Sequence, residues 1–199
     1  MSSKVPSYGD PKTRDRILDS TWDLIEEHRS SPKLSDVADR AGVSRQAVYL
    51  HFGDRAGLLV GLVQYMDQKL GLDEAAVQIH QAPTGVHALE AMVQALSVFA
   101  PKIDPVAQVL EAAQHQDEAV AAAWTNRMAG RRGLIRAIFQ RIADEGRLAE
   151  RWTIDAAADL SYALTMPGPW RELTTKLGWT TSQYAENLTE LLRQSLLTD

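Results

Sequence analysis

The chain has 199 residues, with 21 Lys and Arg against 26 Asp and Glu, which gives a formal net charge of −5, and it contains no cysteine. The missing cysteine excludes a disulfide framework, a thiolate metal site and a thiol nucleophile, and predicts a cytoplasmic protein. The opening MSSKVPSYGD has no apolar signal core and no segment has the length of a membrane span, so no membrane partner is expected. An acidic chain is also, by itself, a poor candidate for neutralising nucleic-acid phosphates.

Apolar residues recur with helical spacing along most of the chain, and few segments alternate as a β-strand would. This pattern predicts an all-α fold. Pro101, Gly146 and Pro167-Gly168-Pro169 are predicted to end helices. The predicted helices cover residues 13–28, 34–41, 45–52, 54–66, 86–100, 103–114, 117–145, 154–166, 170–177 and 182–197.

Residues 34–53, LSDVADRAGVSRQAVYLHFG, have the pattern of a helix-turn-helix. Gly42 follows the first helix, where a left-handed backbone conformation suits glycine. Ser44 is a good N-cap for the second helix, and the preceding Val43 can pack on Val48. Val48 and Phe52 share the inward face at i and i+4, so the remaining polar and aromatic side chains of that helix point elsewhere. A short helix with Arg and Gln in its first turn suits the major groove of DNA, where these side chains read guanine and adenine.

The run VADRAGVSRQAVYLHFGDRAGLL, residues 37–59, resembles the tetracycline-repressor (TetR) family of bacterial transcriptional regulators. The resemblance rests on Ala-Gly-Val-Ser, then Tyr-x-His-Phe, then a basic residue and Leu-Leu. It covers about the first 60 residues, and the rest of the chain only in length and helical character. It implies an N-terminal three-helix DNA-binding module, predicted at residues 10–57, followed by a helical effector-binding and dimerisation domain at residues 58–199.

The resemblance also implies roles for single residues. Arg45 and Gln46 would face base edges, Leu50 a thymine methyl group, and Tyr49 and His51 phosphates. Arg55, where the family usually has lysine, would grip the DNA backbone. Pro32 and Lys33 stand where the family often has threonine, which leaves that helix cap uncertain. The predicted DNA-binding residues are Lys33, Ser35, Ser44, Arg45, Gln46, Tyr49, Leu50, His51 and Arg55.

The negative charge is not spread evenly along the chain. Residues 1–66 contain nine basic and nine acidic residues, so the net negative charge lies entirely downstream. Lys12, Arg14 and Arg16 cluster at the start of the first helix, which the family turns towards DNA. Since electrostatic fields decay over about 8 Å at physiological salt, a local basic patch is sufficient for DNA binding.

One short recognition helix covers only a few base pairs, so specific binding predicts a homodimer on a palindromic operator in double-stranded DNA. The resemblance places the dimer surface on the helices 154–166 and 182–197. The alternative for their leucines is the core of a single chain. The residues concerned are Leu160, Leu164, Leu188, Leu191, Leu192 and Leu196.

The resemblance implies an unidentified small-molecule effector inside the second domain, and repression relieved by that effector. Apolar residues with a few polar groups are typical of ligand pockets, although the same residues at helical spacing are equally typical of plain core. Glu111 and His115, at i and i+4, could be a polar handle or an ordinary helix pair. The predicted ligand-binding residues are Met92, Phe99, His115, Trp124, Met128, Tyr162 and Trp170.

The competing hypotheses are an enzyme and a helical adaptor that does not bind DNA. No hydrolase, zinc-protease, phosphate-loop or dinucleotide motif is present, so neither catalysis nor a cofactor is predicted. His80 and His87 are seven residues apart, but a Pro-Thr-Gly turn separates them and disfavours a shared metal. Gly130-Arg-Arg-Gly133 falls in the middle of a predicted helix and is interpreted as a solvated or packed face rather than a phosphate site.

Overall fold

The computed structural model describes residues 10–198, and within them the chain forms ten α-helices and no β-strand. The all-α prediction is confirmed. None of these helices combines the length and apolarity that crossing a bilayer requires. In chain order the helices are α1 Pro11–His28, α2 Leu34–Ala41, α3 Arg45–Phe52, α4 Arg55–Leu70, α5 Leu72–His80, α6 Gly85–Ala113, α7 Glu118–Asp144, α8 Ile154–Leu164, α9 Pro167–Arg171, continued by a π-helical turn Glu172–Lys176, and α10 Thr181–Leu196.

The described chain separates into two compact units that interleave along the sequence. Unit 1 contains the described residues up to Lys69 together with Pro105–Trp124, and unit 2 contains Leu70–Asp104 and the described residues from Thr125 onwards. The sequence instead predicts a single division, after residue 57. Helix α6 contributes its first part to unit 2 and its last part to unit 1.

Helix α6 corrects one prediction, because it runs without interruption through Pro101 and Pro105 where two separate helices were expected. A proline inside a helix removes one hydrogen bond and crowds the preceding turn. Pro101 itself is exposed, so its ring does not have to fit into the core. Buried Ala100 and Val106 on either side of Pro101 hold the helix by packing.

Helix α5 was not predicted. Gly71, with φ of 67°, separates it from α4. Only Ile79 of α5 is fully buried, so its apolar stripe is too narrow to stand out from the sequence.

The core of unit 2 is built from the first part of α6 with α7, α8 and α10. Leu188, Leu192 and Leu196 of α10 are buried in it, at 7%, 1% and 0% exposure. The assignment of these three leucines to the dimer surface is therefore wrong, and the single-chain core alternative is correct for them. Leu160 and Leu164 are partly buried, while Leu191 remains 49% exposed.

Two side chains near the end of α7 hold the start of α6. The Glu145 carboxylate accepts the Gly85 backbone N–H at 3.0 and 2.9 Å, and Arg141 Nη2 donates to the Pro83 carbonyl at 2.7 Å. The approach is close enough that a Cβ added to Gly85 would lie 2.7 Å from both Cγ1 and the backbone N of Ile142. Only a residue without a side chain fits there.

We therefore expect Gly85→Ala to lower the free energy of unfolding by about 1–3 kcal/mol through overpacking. Gly133→Ala is the matched control, since a Cβ there meets nothing within 4 Å on α7. The control should raise stability by about 0.5–1 kcal/mol through helix propensity. Urea denaturation followed by circular dichroism measures both, and equal effects of the two substitutions would contradict the prediction.

Candidate nucleic-acid interface

The helix-turn-helix predicted from residues 34–53 is present with the expected local geometry. Helix α2 ends at Gly42, whose φ of 63° is left-handed and whose N–H reaches back to the carbonyls of Ala38 and Asp39. Ser44 caps α3, its Oγ accepting the Ala47 N–H at 3.1 Å. Lys33 precedes α2 without a side-chain cap hydrogen bond, so the departure noted at Pro32 and Lys33 does leave this helix start uncapped.

Helix α3 is anchored by one face. Val48 is completely buried, and Phe52 is partly buried at the helix end. Two glycines of α4 allow the close contact: a Cβ on Gly57 would lie 2.0 Å from the Phe52 carbonyl oxygen, and one on Gly61 would lie 3.0 Å from Phe52 Cε1. The Arg14 guanidinium lies over the same ring, 5.5 Å from its centroid. Sequence reasoning missed Gly57 and Gly61, although their spacing of four residues on one helix face could have indicated a close helix contact.

The opposite face of α3 is open to solvent. Arg45 and Gln46 in its first turn are exposed, and the large side chains of Tyr49 and Leu50 are 52% and 55% exposed. Exposing an aromatic and a leucine side by side is unfavourable in water, which favours a surface that meets a partner. These are the residues for which base and backbone contacts were predicted.

The remaining residues predicted to contact DNA lie around this face and differ in their exposure and in their contacts within the protein. His51 is partly buried, with its ring tilted at 6.0 Å from that of Phe52. Lys33 is exposed, and Ser35 is partly buried with its Oγ donating to Asp36 Oδ1 at 3.0 Å. Arg55 is exposed and donates through Nε to Ser31 Oγ at 2.6 Å. All remain predictions as DNA contacts.

Polar side chains also join the helices of this module to one another. Arg40 donates two hydrogen bonds to the Glu27 carboxylate, at 2.8 and 2.6 Å, and joins α2 to α1. These hydrogen bonds lower the pKa of Glu27 and raise that of Arg40. Between α4 and α1, Tyr65 donates to Asp19 at 2.5 Å; burial, and then this hydrogen bond, raise the pKa of the phenol.

The predicted ligand-binding residues are divided between the two units. Met92, Phe99, Met128, Tyr162 and Trp170 belong to unit 2, where Met92 and Trp170 are buried. Trp124 is buried in unit 1, and His115 is exposed in the turn after α6. Since α6 ends at Ala113, Glu111 and His115 do not share a helix face, and that pairing is corrected.

Unit 1 contains a groove of about 460 Å³ lined by parts of α1, α4, α6 and α7. None of the seven predicted ligand-binding residues lines it. Its polar side chains include Arg29, Ser31, Arg55 and Asp117, so it carries both signs of charge. Within residues 10–198 no cluster of three or more His, Asp or Glu side chains suits a metal ion.

The helix-turn-helix segment is similar to known bacterial regulatory proteins. Residues 17–62 match the family described as "Bacterial regulatory proteins, tetR family". Over 58 residues the chain is 43% identical to the HTH-type transcriptional regulator AlkX of Mycobacterium tuberculosis. That match covers 29% of this chain and only 28% of AlkX, so it concerns the N-terminal module alone.

Two solved structures show that the whole fold recurs. A transcriptional regulator from Saccharomonospora viridis, in complex with choline, superposes with a TM-score of 0.80 at 16% identity, covering 94% of this chain and 99% of that one. NalD, the secondary repressor of the MexAB-OprM multidrug efflux pump in Pseudomonas aeruginosa, has a TM-score of 0.69 at 23% identity, covering 94% and 98%.

The fold and the exposed α3 thus define an all-helical protein with a helix-turn-helix DNA-binding module. Residues 17–62 of that module match the tetR family of bacterial regulatory proteins, which confirms the resemblance found in residues 37–59.

The cap of α3 allows its structural role to be tested separately from DNA contact. Ser44→Ala removes the acceptor of the Ala47 N–H and should lower the free energy of unfolding by about 1 kcal/mol. Ser44→Asn keeps a side-chain acceptor without adding charge and should stay near the wild-type value. Urea denaturation compares the three proteins, and an equal loss in both variants would contradict capping by Ser44.

Proposed function

We propose that the protein is a sequence-specific DNA-binding transcriptional regulator, acting as a homodimeric repressor that a small-molecule effector releases from its operator. The observation that carries this proposal is the split of α3 into two faces. Val48 and Phe52 hold the helix to the module, while Arg45, Gln46 and Tyr49 stand in solvent.

The chemistry of the exposed face suits direct reading of DNA. Arginine donates two hydrogen bonds to the O6 and N7 atoms of guanine, and glutamine pairs with the N6 and N7 atoms of adenine, both in the major groove. Arg45 and Gln46 occupy the first turn, the part of a recognition helix that reaches base edges. Leu50 offers an apolar surface for a thymine methyl group.

Contacts to phosphates would fix the position of α3 in the groove. Lys33 lies just before α2, His51 near the end of α3, and Arg55 at the start of α4. Such contacts carry no sequence information but set the orientation of the module. Helix α3 covers eight residues, so two copies related by a two-fold axis are needed to read a site of useful length. Leu160, Leu164 and Leu191 on α8 and α10 remain our candidates for that dimer surface.

An effector acts on such a dimer only if it binds its two conformations with different affinity. We propose that the effector favours a conformation in which the two recognition helices no longer match the spacing of the half-sites. The solved regulator with choline supports the idea that this fold accepts small molecules, although choline is its ligand and not an expectation for this chain. TetR-type proteins are regulators, and the proposal includes no catalytic step.

The test uses the protein's own upstream DNA and fluorescence anisotropy. Arg45→Ala and Gln46→Ala should each weaken specific binding about 5- to 100-fold while leaving binding to unrelated DNA nearly unchanged, because they remove base contacts. Lys33→Ala should weaken both kinds of DNA about equally and reduce the salt dependence by about one ion. Lys102→Ala, an exposed cation of unit 2, is the control. Unchanged affinity in the Arg45 and Gln46 variants would contradict the proposal.

A further inference from the structure

Three buried polar atoms of unit 2 have no hydrogen-bond partner within residues 10–198. They are Arg131 Nε on α7, Ser161 Oγ on α8 and Trp170 Nε1 on α9. The side chains of Ser161 and Trp170 are 0% and 6% exposed. Buried donors are normally satisfied in folded proteins, so three in one unit call for an explanation.

Hydrogen bonds to and from Thr165 connect Arg131 of α7 with the end of α8 that follows Ser161. Arg131 Nη2 donates to the Thr165 carbonyl at 2.5 Å. Thr165 follows Ser161 by four residues, is also completely buried, and donates through Oγ1 to the Ser161 carbonyl at 2.7 Å. Thr165 is the C-cap of α8, so this hydrogen bond places the guanidinium at the C-terminal end of α8, about one helical turn beyond Ser161. Trp170 follows five residues after Thr165, in the core of the unit.

The charge of Arg131 is not balanced by a carboxylate in the described chain. Burial lowers the pKa of its guanidinium; the phenols of Tyr184 and Tyr162 act in the opposite direction, and the nearby cation Arg127 acts with burial. Burial likewise raises the pKa of Tyr184 to about 12, against the opposing effect of Arg131. An arginine stays protonated in proteins, so this partly buried charge, with its Nε shielded from water, favours the binding of an anion.

The next residue shows that ion pairing is available on this helix. Arg132 is exposed and donates to Asp159 of α8 at 2.6 Å. Arg136, also exposed, pairs with Asp155 at 2.7 Å. These two acidic residues of α8 thus pair with solvent-exposed arginines, whereas the partly buried Arg131 donates to a backbone carbonyl and pairs with no carboxylate of the described residues.

The unpartnered atoms indicate the chemistry of the missing partner. Arg131 Nε and Trp170 Nε1 can only donate, and the Ser161 hydroxyl can donate as well. A group that only accepts hydrogen bonds and carries one negative charge satisfies all three and the guanidinium together. A carboxylate has these properties. Tyr162, Leu134 and Met92 belong to the surrounding apolar core, which suits an apolar body attached to that carboxylate.

We propose that Arg131, Ser161 and Trp170 bind the carboxylate of an amphipathic organic acid, with Arg131 as its charge partner. This inference deepens the proposed function. The binding site does not depend on that function; only the role of the acid as the effector rests on it. Phosphate is an alternative anion with a second charge, but the nearby cation Arg127 already takes part in another interaction, so a singly charged carboxylate fits better.

The test measures ligand binding to the full chain without DNA, by calorimetry and by thermal unfolding. The probes are benzoate and decanoate, each paired with its neutral amide, and inorganic phosphate. We expect at least one carboxylate to raise the melting temperature by about 5 °C when present at about 100 times its Kd. Its amide and inorganic phosphate should give no comparable shift.

Two variants and one control assign that preference to the site. Arg131→Met should weaken carboxylate binding by about tenfold to a hundredfold, because a charged hydrogen bond is lost. Arg132→Met removes a neighbouring exposed cation and should keep wild-type binding. Ser161→Ala removes only an unpartnered hydroxyl, so it should keep the ligand-free melting temperature and still weaken carboxylate binding. This variant serves if Arg131→Met fails to fold.

The outcomes separate this inference from the proposed function. Equal binding of acid and amide, stronger binding of phosphate, no binding of either carboxylate, or a carboxylate preference that survives both Arg131→Met and Ser161→Ala would overturn the inference and leave DNA binding unaffected. Carboxylate binding that depends on Arg131 but does not change operator affinity would uphold the site and reject its role as the effector site.

Discussion

The contact between Phe52 and helix α4 determines what the rest of the N-terminal module can do. Because Gly57 and Gly61 carry no side chain, α4 approaches the end of α3 closely, and Arg14 covers the ring from α1. Together with buried Val48, this contact sets the rotation of α3 about its own axis. A rotation of one residue, about 100°, would turn Arg45 and Gln46 away from a groove. Base reading therefore depends on packing as much as on the reading side chains.

In unit 2, some polar groups lie where packing alone would favour apolar side chains. Desolvation of the partly buried Arg131 guanidinium is unfavourable, because a backbone carbonyl only partly offsets it and no carboxylate of the described residues pairs with it. Violations of local rules of this kind are expected mainly at functional sites. The Arg131 region is therefore more informative about function than the completely buried side chains of Phe139 and Ile142.

Local signals explain what could be predicted from the sequence. The bounds of α2 and α3 follow from Gly42, Ser44 and short-range apolar spacing, and the structure has them where they were expected. Longer-range packing could not be predicted. The continuation of α6 through Pro101 depends on buried neighbours, and helical spacing identified the leucines of α10 as one face without showing what covers it. Arg131 and Arg132 are adjacent in the sequence, yet only the fold shows that the Nε of Arg131 is buried without a partner in the described chain and that Arg132 is paired with Asp159.

The net charge of −5 does not by itself show how many positive charges are available to DNA, because some cations are held by contacts within the protein. In the helix-turn-helix module, Arg40 is paired with Glu27 and Arg14 lies over the Phe52 ring. These two positive charges are therefore less available to DNA phosphates. The cations left around α3 are few, with Lys33 and Arg45 both exposed. Since non-specific affinity grows with the number of phosphates neutralised, we expect it to be weak here. The proposed function then requires that discrimination between sites come from base contacts made by both copies of a dimer, and under it a small change in the distance between the two recognition helices is enough for release.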